Sequence, residues 1–379
     1  MTLRCLILGG FEPSGHDSTA DALLEEGVAR GHIVDSLRWR DVVDLADHPM
    51  FTSHRYAAAH GIPDVAGLLD EDWIAEALSD DLGGYINTGY DAFLSVHPWS
   101  SMICAHALSR TQAKGLLVDY HCDFGAFPIV THDRIDAYCG GGRVRALRPR
   151  IRSRCHIVGA SVPRRFHEES PLESRPDTLV VSAGSDGWAI GAMLPAVHSL
   201  SQKLAPSRVV LLAPSETSQQ HWQDAKIPRS EIVANSRDIS RILKSARWYL
   251  CKGSGVAIAE GLAAGCRTFV SSSGIFWEED VAELLKGRGI VADPSLAGDA
   301  IFIEANITNM SKQCRLSAEL VWNLVEHGAP PKHQPLEEKM LAELLKQAAS
   351  EGTDILPRTR AALEAGLEKW RAEWREITS

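Results

Sequence analysis

The chain has 379 residues, of which 45% are hydrophobic and 23% charged, and a formal net charge of −10. That length holds two ordinary domains with sizeable cores, and the composition is that of a soluble globular protein. The acidic balance argues against nucleic acid or an anionic membrane as the main partner, apart from a local basic patch.

Arg4–Leu8 is a short apolar run stopped by Gly9-Gly10 and reads as a strand. A helical pattern follows from about Ser18 to Arg30, with Ala22, Leu23 and Val28 as apolar contacts. His32–Leu37 reads as a second strand, and Ala92–Val96 and Gly115–Val118 as later ones. The polar, proline-containing stretch 168–176 reads as a linker. After it the pattern restarts, with Thr178–Ser182 as a strand and Ala183-Gly184-Ser185-Asp186-Gly187 as a new glycine turn. Val209–Leu212, Trp248–Cys251 and Thr268–Val270 continue as strands. From about Pro335 to Trp374 apolar residues recur at helical spacing, which suits a helix packed on the protein's own domains. Strands alternating with helices imply parallel sheets covered on both faces. The expected fold class is α/β, with two doubly wound Rossmann-like domains facing a cleft. The expected boundaries are 1–167, 177–334 and a helical segment 335–379. Both glycine turns then lie at the carboxyl ends of strands, where such folds bind ligands.

The most informative stretch is Leu250 to Gly265, a strand end, a glycine turn and a helix with a carboxylate in its second turn. Gly253 and Gly255 let backbone N–H groups approach a ligand, Ser254 lies between them, and the helix end suits a diphosphate. Glu260 could accept hydrogen bonds from both hydroxyls of a ribose. A small-residue helix packed closely on a sheet uses the same letters. In the first half, His16 ends a glycine turn just before a helix and could deprotonate an acceptor hydroxyl, or simply cap a surface helix. Asp119 follows a strand and could orient a histidine or bind a substrate hydroxyl; a turn or capping aspartate reads the same way. His97 is a substrate contact or a loop histidine beside Pro98. His121 and Asp123 lack the further spaced ligands that a metal site needs, so no metal residues are assigned. Gly184, Ser185 and Gly187 offer backbone donors for a phosphate or form a plain turn. Glu278, in an acidic stretch with Glu279 and Asp280, binds sugar hydroxyls or begins a helix.

The eight cysteines form no C-x-x-C pair, the usage of a reducing compartment. No apolar stretch approaches a membrane span and no signal peptide is evident, so a cytoplasmic location is expected. The densest basic cluster runs from Arg143 to Arg154, a candidate contact for an anionic ligand or lipid headgroup, or a solvated surface.

Taken in order, Gly15-His16, Ser95-Val96-His97-Pro98, Val118-Asp119, Val181–Ser185, and Lys252-Gly253-Ser254-Gly255 through Glu260 to Gly265 resemble inverting glycosyltransferases of GT-B architecture. The likeness is to monogalactosyldiacylglycerol synthases and bacterial diacylglycerol glucosyltransferases, and more distantly to the peptidoglycan N-acetylglucosaminyltransferase. It spans about Leu6 to Asp293. The resemblance implies a nucleotide-sugar donor, a UDP-sugar, as substrate and no separate cofactor. In that frame Glu260 holds the ribose. Gly253, Ser254 and Gly255 lie along the diphosphate with Gly184 and Ser185. His16 is the general base, with Asp119 near the acceptor. Glu278 matches a family glutamate, but Trp277 and Val281 stand where the family has glutamine and asparagine, which leaves the donor sugar open. The acceptor is a lipid or a soluble secondary-metabolite intermediate, with at most peripheral membrane contact. Trp39, Met50 and Phe51 are lipid contacts or core residues. Other readings are a sugar-nucleotide epimerase and a non-catalytic nucleotide-sugar-binding protein.

Overall fold

The computed structural model describes residues 2–10, 15–39, 82, 86, 89–111, 113–125, 127–142, 144, 149–167, 171–184, 189–234, 239–272 and 276–327. The expected helical segment 335–379 and the candidates Ser185, Gly187, Met50 and Phe51 lie outside them.

The described strands form two all-parallel sheets. The first contains β1 (Arg4–Leu8), β2 (Ile33–Leu37), β3 (Ala92–Ser95), β4 (Leu116–His121), β5 (Ala137–Gly140) and β6 (Cys155–Ile157). Their spatial order is β2-β1-β3-β4-β5-β6. The second contains β7 (Thr178–Ser182), β8 (Arg208–Ala213), β9 (Ser230–Ala234), β10 (Trp248–Lys252) and β11 (Arg267–Ser271), in the order β11-β10-β7-β8-β9. The central strands carry buried apolar residues at successive positions, as in Leu179-Val180-Val181, because both faces are covered. The expected strands are present, Arg4–Leu8 and Thr178–Ser182 match at both ends, and β4 runs three residues past the expected Val118. Three strands went unassigned: β5 has four residues, β6 three, and β9 is a polar edge strand.

Helices α1 (Gly15–Ala29), α2 (Pro98–Thr111) and the short α3 (Pro149–Arg152) belong to the first half. In the second are α4 (Ile190–Lys203), α5 (Glu216–Ala225), α6 (Ile239–Lys244), α7 (Gly255–Ala263) and α8 (Phe276–Lys286). The long α9 (Glu304–His327) serves both. Its first half buries Ile307, Met310 and Cys314 in the core of the second sheet. Its second half buries Ala318, Val321 and Trp322 against α1 and the first sheet. The stretch after β6 also crosses over, because Ala160, Val162 and Phe166 complete the same core of the second sheet.

Each sheet has one place where successive connections leave in opposite directions. In the first it lies between β1 and β3, and in the second between β7 and β10. Crevices at the carboxyl ends of such strands are where doubly wound sheets bind ligands. All four segments that leave these strand ends carry residues picked out above: Gly9-Gly10 to His16, His97, Gly184, and Gly253 to Gly255.

Candidate active site

The turn after β1 is fixed from two sides. Gly9 N–H donates to Leu37 O at 2.8 Å, and Ser100 Oγ donates to Gly9 O at 2.8 Å. The same Ser100 hydroxyl receives Trp39 Nε1–H at 2.8 Å, and Trp39 is fully buried, so this tryptophan is a core residue. His16 sits in the first turn of α1, partly exposed, with the His97 ring edge against it at 4.7 Å between centroids. His97 Nδ1 accepts the Trp99 backbone N–H at 3.2 Å, so its neutral ring carries the proton on Nε2. The first crevice therefore holds two imidazoles, one locked by α2 and the other on α1.

Asp119 lies inside β4, two residues before its end and not after the strand as expected, and is only 3% exposed. Its Oδ1 is 2.5 Å from Ser101 Oγ, which also lies 3.2 Å from the His97 carbonyl. Asp119 thus bears on the His97 turn through Ser101. Burial pushes its carboxyl up to about 7, against the lowering effect of the Ser101 hydrogen bond. Ser101 has one proton for two acceptors. A protonated Asp119 resolves this, donating to Ser101 while Ser101 donates to His97 O; Ser95 Oγ donates to the same carbonyl at 3.0 Å. The unfolded carboxyl titrates near 3.8, so the folded state holds the extra proton between 3.8 and about 7. That contribution to stability is complete below 3.8 and is lost as pH rises through about 7. Asp119→Asn keeps the donor at every pH. Relative to it, the wild type is expected to lose about 2–3 kcal/mol between pH 5 and pH 8, at about 1.4 kcal/mol per unit. Urea unfolding of both proteins across that range measures the difference, and parallel profiles would refute the raised titration.

The second crevice is built around α7. Gly184, at φ +86°, takes a backbone conformation that side-chain-bearing residues avoid, and Lys252 Cε would stand 2.9 Å from a Cβ there. A Cβ on Gly253 would collide with the Glu278 backbone, so the turn lies directly on the start of α8. Lys252 Nζ donates to Glu278 Oε1 at 2.7 Å, with both side chains largely buried. Glu278 Oε2 is buried without a hydrogen-bond partner among the described residues. Ser254 is the N-cap of α7, but its side chain makes no capping bond. The Asp123 carboxylate of the first half packs on this helix start instead: its Oδ1, which takes Phe124 N–H at 2.6 Å, would collide with a Cβ on Gly255. At the far end of α7, Arg175 Nη1 donates to Ala264 O at 2.6 Å and Arg315 Nη2 to Ala263 O at 3.0 Å. The helix thus has a carboxylate at its positive end and two guanidinium groups at its negative end.

Glu260, in the second turn of α7, faces the first half, and Ser18 Oγ on α1 donates to its Oε1 at 2.6 Å. Burial pushes the Glu260 carboxyl up to about 7, and the Ser18 bond acts the other way. A Cβ on Gly15 would stand 2.7 Å from Val256 Cβ. The two helix N-termini, each at a switch point, therefore meet. Val281, where the resembling families have asparagine, is 2% exposed in the core. Of the basic cluster, Arg154 Nη1 donates to the Asp133 and Ile135 carbonyls and Arg152 is exposed. Arg143, Arg145 and Arg148 lie outside the described residues.

Sequence reasoning gave no site role to Lys252 or Ser18, and weighed Asp123 only as a weak metal ligand. Lys252 had a signal, its place at the start of the glycine turn. Ser18 and Asp123 had none, because what matters is their partners on a helix more than 130 residues away. Among the described residues no group of three or more His, Cys, Asp or Glu is set to hold a metal ion, and no helix is long and apolar enough to cross a membrane. The eight cysteines are unpaired, and seven are buried.

No protein-family model matches the chain, and no curated protein matches its sequence. Solved structures do resemble it. The glycotransferase of kitacinnamycin matches over 87% of this chain and 100% of its own, with TM-score 0.56 and 15% identity. CalG4, the calicheamicin glycosyltransferase, matches over 92% and 99%, with TM-score 0.53 and 13% identity. Arabidopsis thaliana UGT89C1 complexed with UDP-L-rhamnose matches over 91% and 99%, with TM-score 0.50 and 12% identity. These likenesses are of fold: the chain has the GT-B architecture of two parallel-sheet α/β domains.

Proposed function

We propose that this chain is an inverting glycosyltransferase that moves a sugar from a nucleoside diphosphate sugar to an acceptor hydroxyl. The observation that carries this reading is the meeting of the two switch points. The His16–His97 pair stands over one, and the Lys252–Gly255 turn with Glu260 and Glu278 over the other. The first can take a proton, and the second can hold a ribose and a departing diphosphate. His16 removes the acceptor proton. The acceptor oxygen forms its bond to the anomeric carbon from the face opposite the diphosphate. The carbon–oxygen bond to the diphosphate breaks, and the leaving group keeps the electron pair. The backbone amides at the start of α7 and the Lys252 ammonium offset the charge that develops. The unpartnered Glu278 Oε2 is an acceptor suited to a sugar hydroxyl.

The UDP-L-rhamnose complex of UGT89C1 supports a UDP-linked donor. The glycosyltransferases of kitacinnamycin and calicheamicin support a small-molecule acceptor over the lipid acceptor that the sequence resemblance suggests. The choice between hexose and N-acetylhexosamine rests on pocket residues beyond the glutamate at 278.

Thermal shift against UDP, GDP, dTDP and CDP tests the donor site. At about 100 times Kd a ligand specific to the folded state adds about 2.7 kcal/mol, a shift of several degrees. UDP is expected to give the largest shift, and Glu260→Ala to abolish it. Silence with all four nucleotides would refute the donor site.

A further inference from the structure

In this conformation the first half of the chain occupies both parts of the candidate donor site with groups that resemble the donor. Ser18 presents a hydroxyl to Glu260 at 2.6 Å, as a ribose would. Asp123 sets its carboxylate against Gly255 at the start of α7, where a diphosphate would lie, with Oδ1 at the place of a Cβ on that glycine. These contacts are independent. One comes from α1 and the other from the loop after β4, yet they meet the two positions on α7 assigned to the nucleotide.

We propose that Asp123 and Ser18 are built-in competitors of the donor, so that nucleotide binding must displace them and they set its affinity. The inference rests on the donor-site reading above. Charge counting supports it. Lys252 is matched by Glu278 at 2.7 Å, and Asp123 already answers the positive end of α7. A diphosphate added to both carboxylates would face two like charges across one ammonium. Asp123 already feels this crowding: burial first, and Glu278 after it, push its carboxyl up to about 6. Space gives the same answer, because a single Cβ on Gly255 would collide with the Asp123 carboxylate. Ser254, the N-cap residue, makes no side-chain capping bond, and the Asp123 carboxylate packs on Gly255, so removing that carboxylate opens the helix start to a ligand. The unpartnered Glu278 Oε2 beside this turn is a separate sign that a hydroxyl-bearing ligand belongs there.

A protein whose binding-competent form is a fraction of the whole binds more weakly by that fraction. Titration calorimetry of the full chain with UDP reads the effect directly. Asp123→Ala is expected to bind UDP at least about tenfold tighter than wild type, and Ser18→Ala a few-fold tighter, the ordinary size of an allosteric or conformational coupling. Asp123→Asn keeps the shape and removes the charge, so it serves if the alanine variant does not fold, and it too is expected to tighten binding. Unchanged or weaker binding in the Asp123 variants, with Glu260→Ala still abolishing it, would overturn this inference and leave the donor site standing. No nucleotide binding in wild type or variants would overturn the donor site, and this inference with it.

Discussion

His16→Ala is expected to lower kcat about 10²–10⁴-fold, the usual worth of a positioned general base, and to leave UDP affinity unchanged. The separation follows from where the side chain stands. His16 is in the first turn of α1, against His97, while the proposed nucleotide contacts belong to α7 and to the turn after β10. A loss confined to kcat marks a group that acts on the reacting atoms, whereas a rise in KM alone marks ground-state binding. His16 is partly exposed and is not part of a hydrophobic core, so its removal should leave the unfolding curve in place. His97→Ala should be milder on chemistry, because its Nδ1 is spent on the Trp99 amide and its ring acts by holding His16 in place. Single-turnover assays on the purified chain decide this. Full turnover in His16→Ala would transfer the role of base elsewhere.

Trp322→Ala should be the most damaging single change to stability among those considered, at about 3–5 kcal/mol, the range for a fully buried large aromatic. Trp322 is 0% exposed, donates Nε1–H to Leu23 O at 2.8 Å and stacks on His32 at 4.9 Å. Gly27 is the recess that receives it, since a Cβ there would collide with the indole. Beside it Glu326 accepts from Arg30 Nη1 at 2.7 Å and pairs with His32 Nε2 at 2.7 Å. The substitution leaves a cavity and an unanswered Leu23 carbonyl, and it loosens the only described helix that packs on both sheets. A drop in melting temperature of about 10 °C is expected, at roughly 2–4 °C per kcal/mol. A shift of one or two degrees would mean that α9 contributes little to holding the halves together.

Much of this architecture was readable before any coordinates. Apolar runs of β-branched and aliphatic residues gave eight of the strands, because a strand buried on both faces has no polar positions to blur the pattern. The glycine turn at 253–255 was legible for a similar reason: close backbone approach leaves few residue choices. β5 and β6 were too short to carry a pattern. α9 was missed because its apolar stripe changes partners midway, serving one core through Met310 and the other through Trp322. The site was legible only in halves. Glu260 stood out from its own helix, but its partner Ser18 lies 242 residues away. Asp123 was noticed as a weak metal ligand, while its position on Gly255 depends on how the halves meet. Local spacing holds no record of such contacts.

The seat of Trp322 also bears on how the chain is made. Leu23 and Gly27 emerge early during synthesis, but the side chain that fills their recess follows 299 residues after Leu23. Until then the recess at Gly27 on the back of α1 has no indole to fill it. Domains in general fold as they leave the ribosome. Here the first half can complete its packing only after α9, which supplies Trp322, has been made.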